Sequence, residues 1–526
     1  MNLSRNSTGL FRRTIFALCI GFFLILLVLS ALNQANPLNT TLERDSGMFL
    51  YISSSFSKGG LPFITAWDNK PPGIFFINSI ALDIGMGTRW GVWLMEFLFL
   101  STSTMLGYHL LRKQFGLAPA LIGTTVWILG LNRILGGGNF TEEYSLPFGF
   151  ASLLLWITSE DKRNTAGRDL GIGFCTGCAV LLRPNNIGVQ AAIVVTMIAF
   201  GIKDGQYRKL ILRLVTIGIA AFIPLLFAGL FFASRGAFNE FMQASLLYNL
   251  FYTGGNLDPR SSLMGGITGL GFEGGIAFAG YILAVSRIRI QKEHSSSDLF
   301  VTWIAINGVI EVILSGLSGK SYWHYFISWL PVVAASSAYL ASRSLSEFCL
   351  WSEKHPIRLG VSALLLGLLL FFQVPKEYIR TIDFLRTQRE KGIQRVDPIA
   401  EYINAHTTPG DTVLIWGGQV GINFLSKRES PTPYIFYPLF EPSPFTEHFS
   451  AEYFRALRLK TPVLIVDGSS FDRGKIVPLD EEDPIRWTVE HGIYANPYLS
   501  EILTFIRQNY SLEKVMNEVS IYRRKS

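Results

Sequence analysis

Residues 43–51 read Glu-Arg-Asp-Ser-Gly-Met-Phe-Leu-Tyr, and residues 67–72 read Trp-Asp-Asn-Lys-Pro-Pro. The first stretch follows an apolar run, Thr14 to Leu32, which is itself preceded by Arg12-Arg13. A bilayer-spanning helix needs about 17–25 mainly apolar residues, so this run is long enough to cross. Asp45 and Lys70 are therefore expected in one loop just outside the first span. Charges at a membrane are costly and are kept where they bind or transform something charged. A basic start and an apolar run also describe a signal peptide. The run is long for that role and many apolar segments follow, so an uncleaved first helix with a cytoplasmic N-terminus is expected.

Composition agrees. Of the 526 residues, 49% are hydrophobic and only 16% are charged; a soluble domain averages about 25% charged. The formal net charge of +7 could suit nucleic acid. The basic residues, however, fall in short clusters between apolar runs, as the positive-inside rule expects, which makes nucleic-acid binding a poor reading. The clusters are Arg112-Lys113, Lys162-Arg163 with Arg168, Lys203 with Arg208-Lys209, Arg287 with Arg289 and Lys292, and Arg343 through Arg358. One helix out and one back fit between consecutive clusters. The expected spans are 90–111, 117–134, 144–158, 168–184, 187–202, 210–233, 263–286, 299–317, 322–341 and 357–374. With the first run they make about eleven transmembrane helices.

The segment Pro72 to Gly85 is apolar but short. Counting it as a span would invert every later loop, so it belongs at the outer surface, within a first outer loop of residues 33–89. The fold class expected is a polytopic α-helical protein of the plasma membrane: a transmembrane domain over 1–375, then an extracytoplasmic domain over 376–526. That last part is more charged and alternates short strands, near 411–416 and 462–467, with helical patterns near 396–406, 419–426, 447–459 and 498–509. Two further strands are expected near 511–516 and 519–523. This alternation predicts a small α/β domain. The four cysteines supply no disulfide framework there. Cys175-x-x-Cys178 lies among glycines on an apolar helix, where close helix packing is the expected use. The Gly417-Gly418-Gln419-Val420-Gly421 turn is not a G-x-G-x-x-G and is discounted as a nucleotide site. Phe238 to Tyr252 reads as an aromatic-rich interfacial helix.

With this topology, polar groups gather on the outer face. The first loop carries Asp45, Asp68 and Lys70. A second carries Gly136-Gly137-Gly138-Asn139-Phe140-Thr141-Glu142-Glu143, and a later one Ser321-Tyr322-Trp323-His324-Tyr325. Arg183 lies at an outer helix end. Carboxylates beside cations suit transfer chemistry on a lipid-linked phosphate: a carboxylate takes a proton from the nucleophile and cations stabilise the leaving group. Blander uses exist for each. Asp45 could cap a helix starting at Ser46, Lys70 could anchor in headgroups, and Glu142 and Glu143 could begin a helix. Glu96 and Glu311 fall within expected spans and need partners.

These residues resemble the GT-C superfamily of integral-membrane glycosyltransferases, in the branch of the protein O-mannosyltransferases and the lipid A aminoarabinose transferase. The likeness rests on Asp45-Ser-Gly-Met-Phe-Leu-Tyr51, Trp67-Asp-Asn-Lys-Pro-Pro72, the acidic second loop, the His324-Tyr325 pair and the trailing outer domain. It implies the GT-C fold and an inverting transferase that takes a sugar from a polyprenyl-phosphate carrier. The acceptor would be an extracytoplasmic protein, lipid or glycan. Asp45 would be the general base, and Lys70, His324, Tyr325 and Arg183 would bind the donor phosphate. Glu142, Glu143 and Asp68 would place the acceptor or a divalent cation; no other cofactor is implied. The rival readings are a transporter or flippase of lipid-linked glycans, and a non-catalytic partner in envelope glycan assembly. A transporter would set ionisable groups near the bilayer midplane, often with repeat symmetry.

Overall fold

The computed structural model describes residues 3–38, 42–157, 165–252, 257–288, 296–373, 386, 397–435, 439–440, 442–472 and 474–525. Lys162-Arg163, Arg289, Lys292 and the expected domain boundary near 375 lie outside the described residues. The chain forms two compact units that interleave along the sequence. The first comprises Met1–Asn36, Trp93–Ala228 and Gly255–Lys391; the second comprises Pro37–Val92, Gly229–Gly254 and Gly392–Ser526.

The first unit is helical. Its helices are α1 (Leu3–Ala31), α4 (Arg89–Phe115, which starts in the second unit), α5 (Leu117–Ile134), α6 (Thr141–Ile157), α7 (Thr165–Leu182), α8 (Gly188–Lys203) and α9 (Tyr207–Ser234, which ends in the second unit). Then come α12 (Pro259–Ser286), α13 (Ser296–Gly316), α14 (Leu330–Ser344), α15 (Ser346–Lys354) and α16 (Pro356–Gln373). The segments expected to span fall mainly on these helices, except that 322–341 begins on a 3-10 turn, Trp323–Trp329, before α14. Seven helical segments among the described residues are long and apolar enough to cross a membrane, and eight if α15 and α16, bent by 107° at their junction, count together. The protein is thus a polytopic α-helical membrane protein. Helices α4, α6 and α7 are not among those segments; α6 has only 17 residues, and the three carry Glu96 and His109, Glu142 and Glu143, and Arg168 and Asp169 respectively. Asp169 is buried and paired twice with Arg213 of α9, at 2.8 and 2.9 Å.

Small residues let these helices approach closely. An added Cβ at Gly173 or Gly177 of α7 would strike the backbone carbonyls of Ile217 or Ala221 of α9, so packing is the use of the glycines around Cys175 and Cys178, both free thiols. Glu311 of α13 is buried but has the partners it needs: Ser328 Oγ donates at 2.8 Å and Asn307 Nδ2 at 3.4 Å. Helix α15 was expected as a basic connecting loop; its Phe348, Leu350 and Trp351 are exposed, as in a helix lying along an interface.

The second unit holds α2 (Arg44–Ser57), α3 (Gly73–Ile84) and the segment after α9. There α10 (Phe238–Met242) and α11 (Tyr248–Tyr252) are joined by a π-helical turn, Gln243–Leu247. Its last part is a four-stranded sheet in the order β1-β2-β4-β3, with β1 (Val413–Trp416), β2 (Leu464–Asp467), β3 (Tyr510–Met516) and β4 (Val519–Arg524). Strands β1 and β2 are parallel, with Val413 opposite Leu464; β4 runs antiparallel to both neighbours. Both parallel strands are buried along their whole length, as strands covered on two faces must be. The covering helices are α17 (Pro398–His406), α18 (Gly421–Ser426), α19 (Thr446–Lys460), α20 (Pro484–Glu490) and α21 (Leu499–Asn509). Ile399, Ile403, Ile422, Val466 and Ile521 form the core. Helix α20 was not read in the sequence. It and α17 open alike, on Asp-Pro: Asp397 accepts from Ile399 and Ala400 N–H, and Asp483 from Arg486 N–H, with proline at the first helical position.

Candidate active site

In the first unit the glycine-rich loop builds the site. Gly136, Gly138 and Asn139 all have positive φ, and at Gly138 a side chain would collide with the Glu96 carboxylate and, at 2.7 Å, with Ala35. That tight turn aims the Asn139 N–H at two carboxylates: Glu96 Oε1 accepts it at 2.5 Å and Glu143 Oε2 at 3.1 Å. Glu143 Oε2 also accepts from Phe140 N–H at 3.4 Å. Its other oxygen is buried with no hydrogen-bond partner among the described residues.

Glu142 begins α6 beside it and forms an ion pair with Arg183. Thr141 Oγ1 donates to the second Glu142 oxygen at 2.9 Å. Arg183 is held in extended backbone between α7 and a 3-10 turn, Pro184–Ile187, and its guanidinium lies 3.8 Å from the centre of the Tyr325 ring. Tyr325 and His324 sit on a 3-10 turn, Trp323–Trp329. The His324 ring stacks on Phe140 with centroids 4.4 Å apart and planes 2° from parallel. Four predicted residues, Glu142, Arg183, His324 and Tyr325, thus form one connected cluster with Glu143 at its edge. A half-buried cation beside a buried carboxylate and aromatic faces gives an arrangement suited to an anion.

In the second unit, Asp45 is the second residue of α2, whose N-cap is Glu43 with no side-chain capping bond. The helix begins before Ser46, so Asp45 is not its cap. Its carboxylate is 3.5 Å from Arg44 Nε, and Arg44 Nη1 is 3.7 Å from Asp472. Asp68 is 1% exposed. One of its oxygens accepts from Asn69 N–H at 2.8 Å, and the other has no hydrogen-bond partner among the described residues. Burial pushes its carboxyl up, the Lys70 ammonium pulls it back, and the Asp45 carboxylate pushes it further. Lys70 is half-buried and donates to Asn69 Oδ1 at 3.3 Å. Asn249, just past the π-helical turn, donates to Asn69 O at 2.6 Å. The aromatic segment from Phe238 therefore locks the residue that carries Lys70. Trp67 anchors the same stretch by ring contacts with Tyr248, at 4.9 Å, and Phe449, at 5.2 Å.

Among the described residues no group of three or more His, Cys, Asp or Glu is arranged to hold a metal ion. The orphan oxygens of Asp68 and Glu143 are single donors and do not make a ligand set. His406 and His491 stack on Tyr402 and Trp487 at 3.9 Å, which is a structural use. Sequence reasoning missed Arg44, Phe140, Asn249 and Asp472. Only Arg44, adjacent to Asp45, left a signal.

Comparison with known proteins starts from the fold. A structure of ArnT from Cupriavidus metallidurans bound to undecaprenyl phosphate matches with a TM-score of 0.62 and 11% identity, over 96% of this chain and 97% of that one. The chain shares that structure's fold over almost its whole length. The apo structure of the same protein matches at TM-score 0.58 and 12% identity, with 98% of each chain covered. A family model described as dolichyl-phosphate-mannose-protein mannosyltransferase matches residues 69–227. No curated protein matches the chain. The family match includes Lys70, Glu142, Glu143 and Arg183. Asp45, Asp68, His324 and Tyr325 lie outside it.

Proposed function

We propose that the protein is an inverting glycosyltransferase that moves a sugar from a polyprenyl-phosphate carrier to an extracytoplasmic acceptor. Asp45 takes the proton of an acceptor hydroxyl, and the freed oxygen pair attacks the anomeric carbon. The bond from that carbon to the phosphate oxygen breaks, and polyprenyl phosphate leaves with the electron pair. Lys70, Arg183, His324 and Tyr325 bind the phosphate, while Glu142, Glu143 and Asp68 place the acceptor. The observation that carries the reading is the GT-C likeness over almost the whole chain, to a structure that itself holds undecaprenyl phosphate. The fixed Arg183–Tyr325–His324 cluster supports the phosphate role, and Asp45's freedom from capping supports its use as a base.

An apolar groove of about 330 Å³ between α12, α13 and α14, lined by Leu263, Ile267, Phe278, Val309 and Val333, suits a polyprenyl chain. The arrangement proposed is about eleven spans with the N-terminus in the cytoplasm and residues 376–526 outside, since each basic cluster then faces inward. The test is turnover. Protein in nanodiscs is given undecaprenyl phosphate carrying radiolabelled mannose, glucose or 4-amino-4-deoxyarabinose, with a membrane extract as acceptor, beside Asp45→Asn. Transfer by the wild type alone supports the proposal. Transfer that survives in Asp45→Asn removes Asp45 as base. Folded protein that transfers none of the sugars favours the transporter or non-catalytic reading.

A further inference from the structure

The turn discounted above as a nucleotide loop has another use. Gly417 has φ +111°, in the left-handed region that favours glycine. This conformation presents Gly418 N–H to Asp472 Oδ2, which accepts it at 2.9 Å. The other oxygen of Asp472 faces Arg44 Nη1 at 3.7 Å, and Arg44 Nε faces Asp45 Oδ1 at 3.5 Å. One chain of contacts therefore runs from the end of β1, through a buried carboxylate and a guanidinium, to the proposed base. The Asp472 side chain is only 4% exposed and that of Arg44 24%, so solvent screens the pair weakly.

A second contact holds the helix that carries the base. At Gly47, two residues after Asp45, an added Cβ would lie 2.8 Å from Gly421 Cα. At Gly421 an added Cβ would meet Gly47 Cα at 3.2 Å and Leu42 Cδ1 at 3.1 Å. The two backbones touch with no side chain between them, which only glycine at both positions allows. One turn further along α2, the Tyr51 hydroxyl accepts from Ser430 N–H at 2.9 Å. Beyond the helix, Trp67 N–H donates to Pro433 O at 2.8 Å. The first loop is thus fastened at Arg44, Gly47, Tyr51 and Trp67 to residues between 418 and 472.

We infer that Arg44 and Asp472 are positioning residues, through which the C-terminal α/β part of the protein sets the place and orientation of the Asp45 carboxylate. This rests on the reading of Asp45 as the base. General-base catalysis depends on holding the acceptor hydroxyl within hydrogen-bond reach, and displacement of a reacting group by about 1 Å costs on the order of 100-fold in rate. The guanidinium fixes the carboxylate laterally, Asp472 fixes the guanidinium, and the Gly47–Gly421 contact fixes the height of the helix.

The test uses the full-length protein in nanodiscs with whichever labelled undecaprenyl-phosphate sugar the wild type turns over. Arg44→Gln and Asp472→Asn are expected to lower kcat by about 10- to 100-fold with the donor KM nearly unchanged, and Arg44→Lys to recover most of the loss. Gly421→Ala, which alters no charge, is expected to give the same split. Introduced into Asp45→Asn, Asp472→Asn should cause no further loss, because it acts through the carboxylate already removed. Hydrogen exchange supplies a readout without substrate: amides of α2 should exchange faster in Asp472→Asn while those of β1 and β2 keep wild-type protection. Unchanged kcat in Asp472→Asn and Gly421→Ala, additive losses with Asp45→Asn, or unchanged protection of α2 would each overturn the inference. If Asp45→Asn itself keeps full activity, the reading of the base has failed instead, and the α2 exchange result alone judges the fastening.

Discussion

Asp45, Asp68 and Arg183 show how differently one chain can treat a charge. Asp45 is part-exposed beside the Arg44 guanidinium, 3.5 Å from its Nε. Its replacement by Asn is expected to cut transfer by about 10²- to 10⁴-fold, the range of a general base, as measured by labelled-sugar incorporation. Asp68 is the opposite case. Burial raises its carboxyl, so folding favours its protonated form. Its contribution to stability is fully present below the ordinary carboxyl range and is lost as pH rises through its raised value. Asp467 and Asp472 are raised by burial as well and act with the same sign. Asp68→Asn should therefore leave the thermal midpoint less sensitive to rising pH above that range than in the wild type, as followed by intrinsic fluorescence in detergent. Arg183 pairs with a Glu142 that is almost fully buried. Arg183→Gln should destabilise by about 3–5 kcal/mol, because a buried carboxylate loses the guanidinium paired with it.

At the scale of elements, short irregular pieces place the chemistry more than long helices do. The turn at Gly136–Asn139, the 3-10 turns at Pro184 and Trp323, and the π-helical turn before Asn249 each aim one side chain or one N–H. Such segments are where a helix can reorient a residue without moving its neighbours. Gly138→Ala is expected to impair both stability and transfer, since the position needs φ of +72° and leaves no room beside Glu96. Asp397→Ala tests an ordinary element in contrast. Loss of its capping bonds to Ile399 and Ala400 should cost about 1 kcal/mol, with transfer unchanged once the folded fraction is matched.

For the whole molecule, the unit built around the sheet draws on three separate stretches of chain. Destabilising the sheet should therefore be felt in the first loop. Leu464→Ala, at a fully buried position of β2, should cost about 2–5 kcal/mol and expose peptides of α2 as well as of the sheet to limited proteolysis. If α2 keeps its resistance, the sheet and the loop unfold separately. Reporter fusions test the proposed topology: one after Arg287 should report the cytoplasm and one after Lys525 the outer side.

Apolar length, charge clustering and turn chemistry made much of this legible before any coordinates. Spans followed from runs of about 20 apolar residues between basic clusters, and strands such as Val413–Trp416 from short apolar runs bounded by Asp and Gly. Glu142, Arg183, His324 and Tyr325 were named from type and position. These are local signals, carried by residues near one another in the chain. What tertiary structure alone decided was non-local. It joined Glu142 to Arg183 and Arg183 to Tyr325, put Phe140 under His324, and set Gly421 against Gly47. It also brought Asp472, more than 400 residues away in sequence, to the guanidinium beside Asp45. No pattern of hydropathy or charge encodes such pairings, because they depend on how backbones cross and which side chains they leave room for.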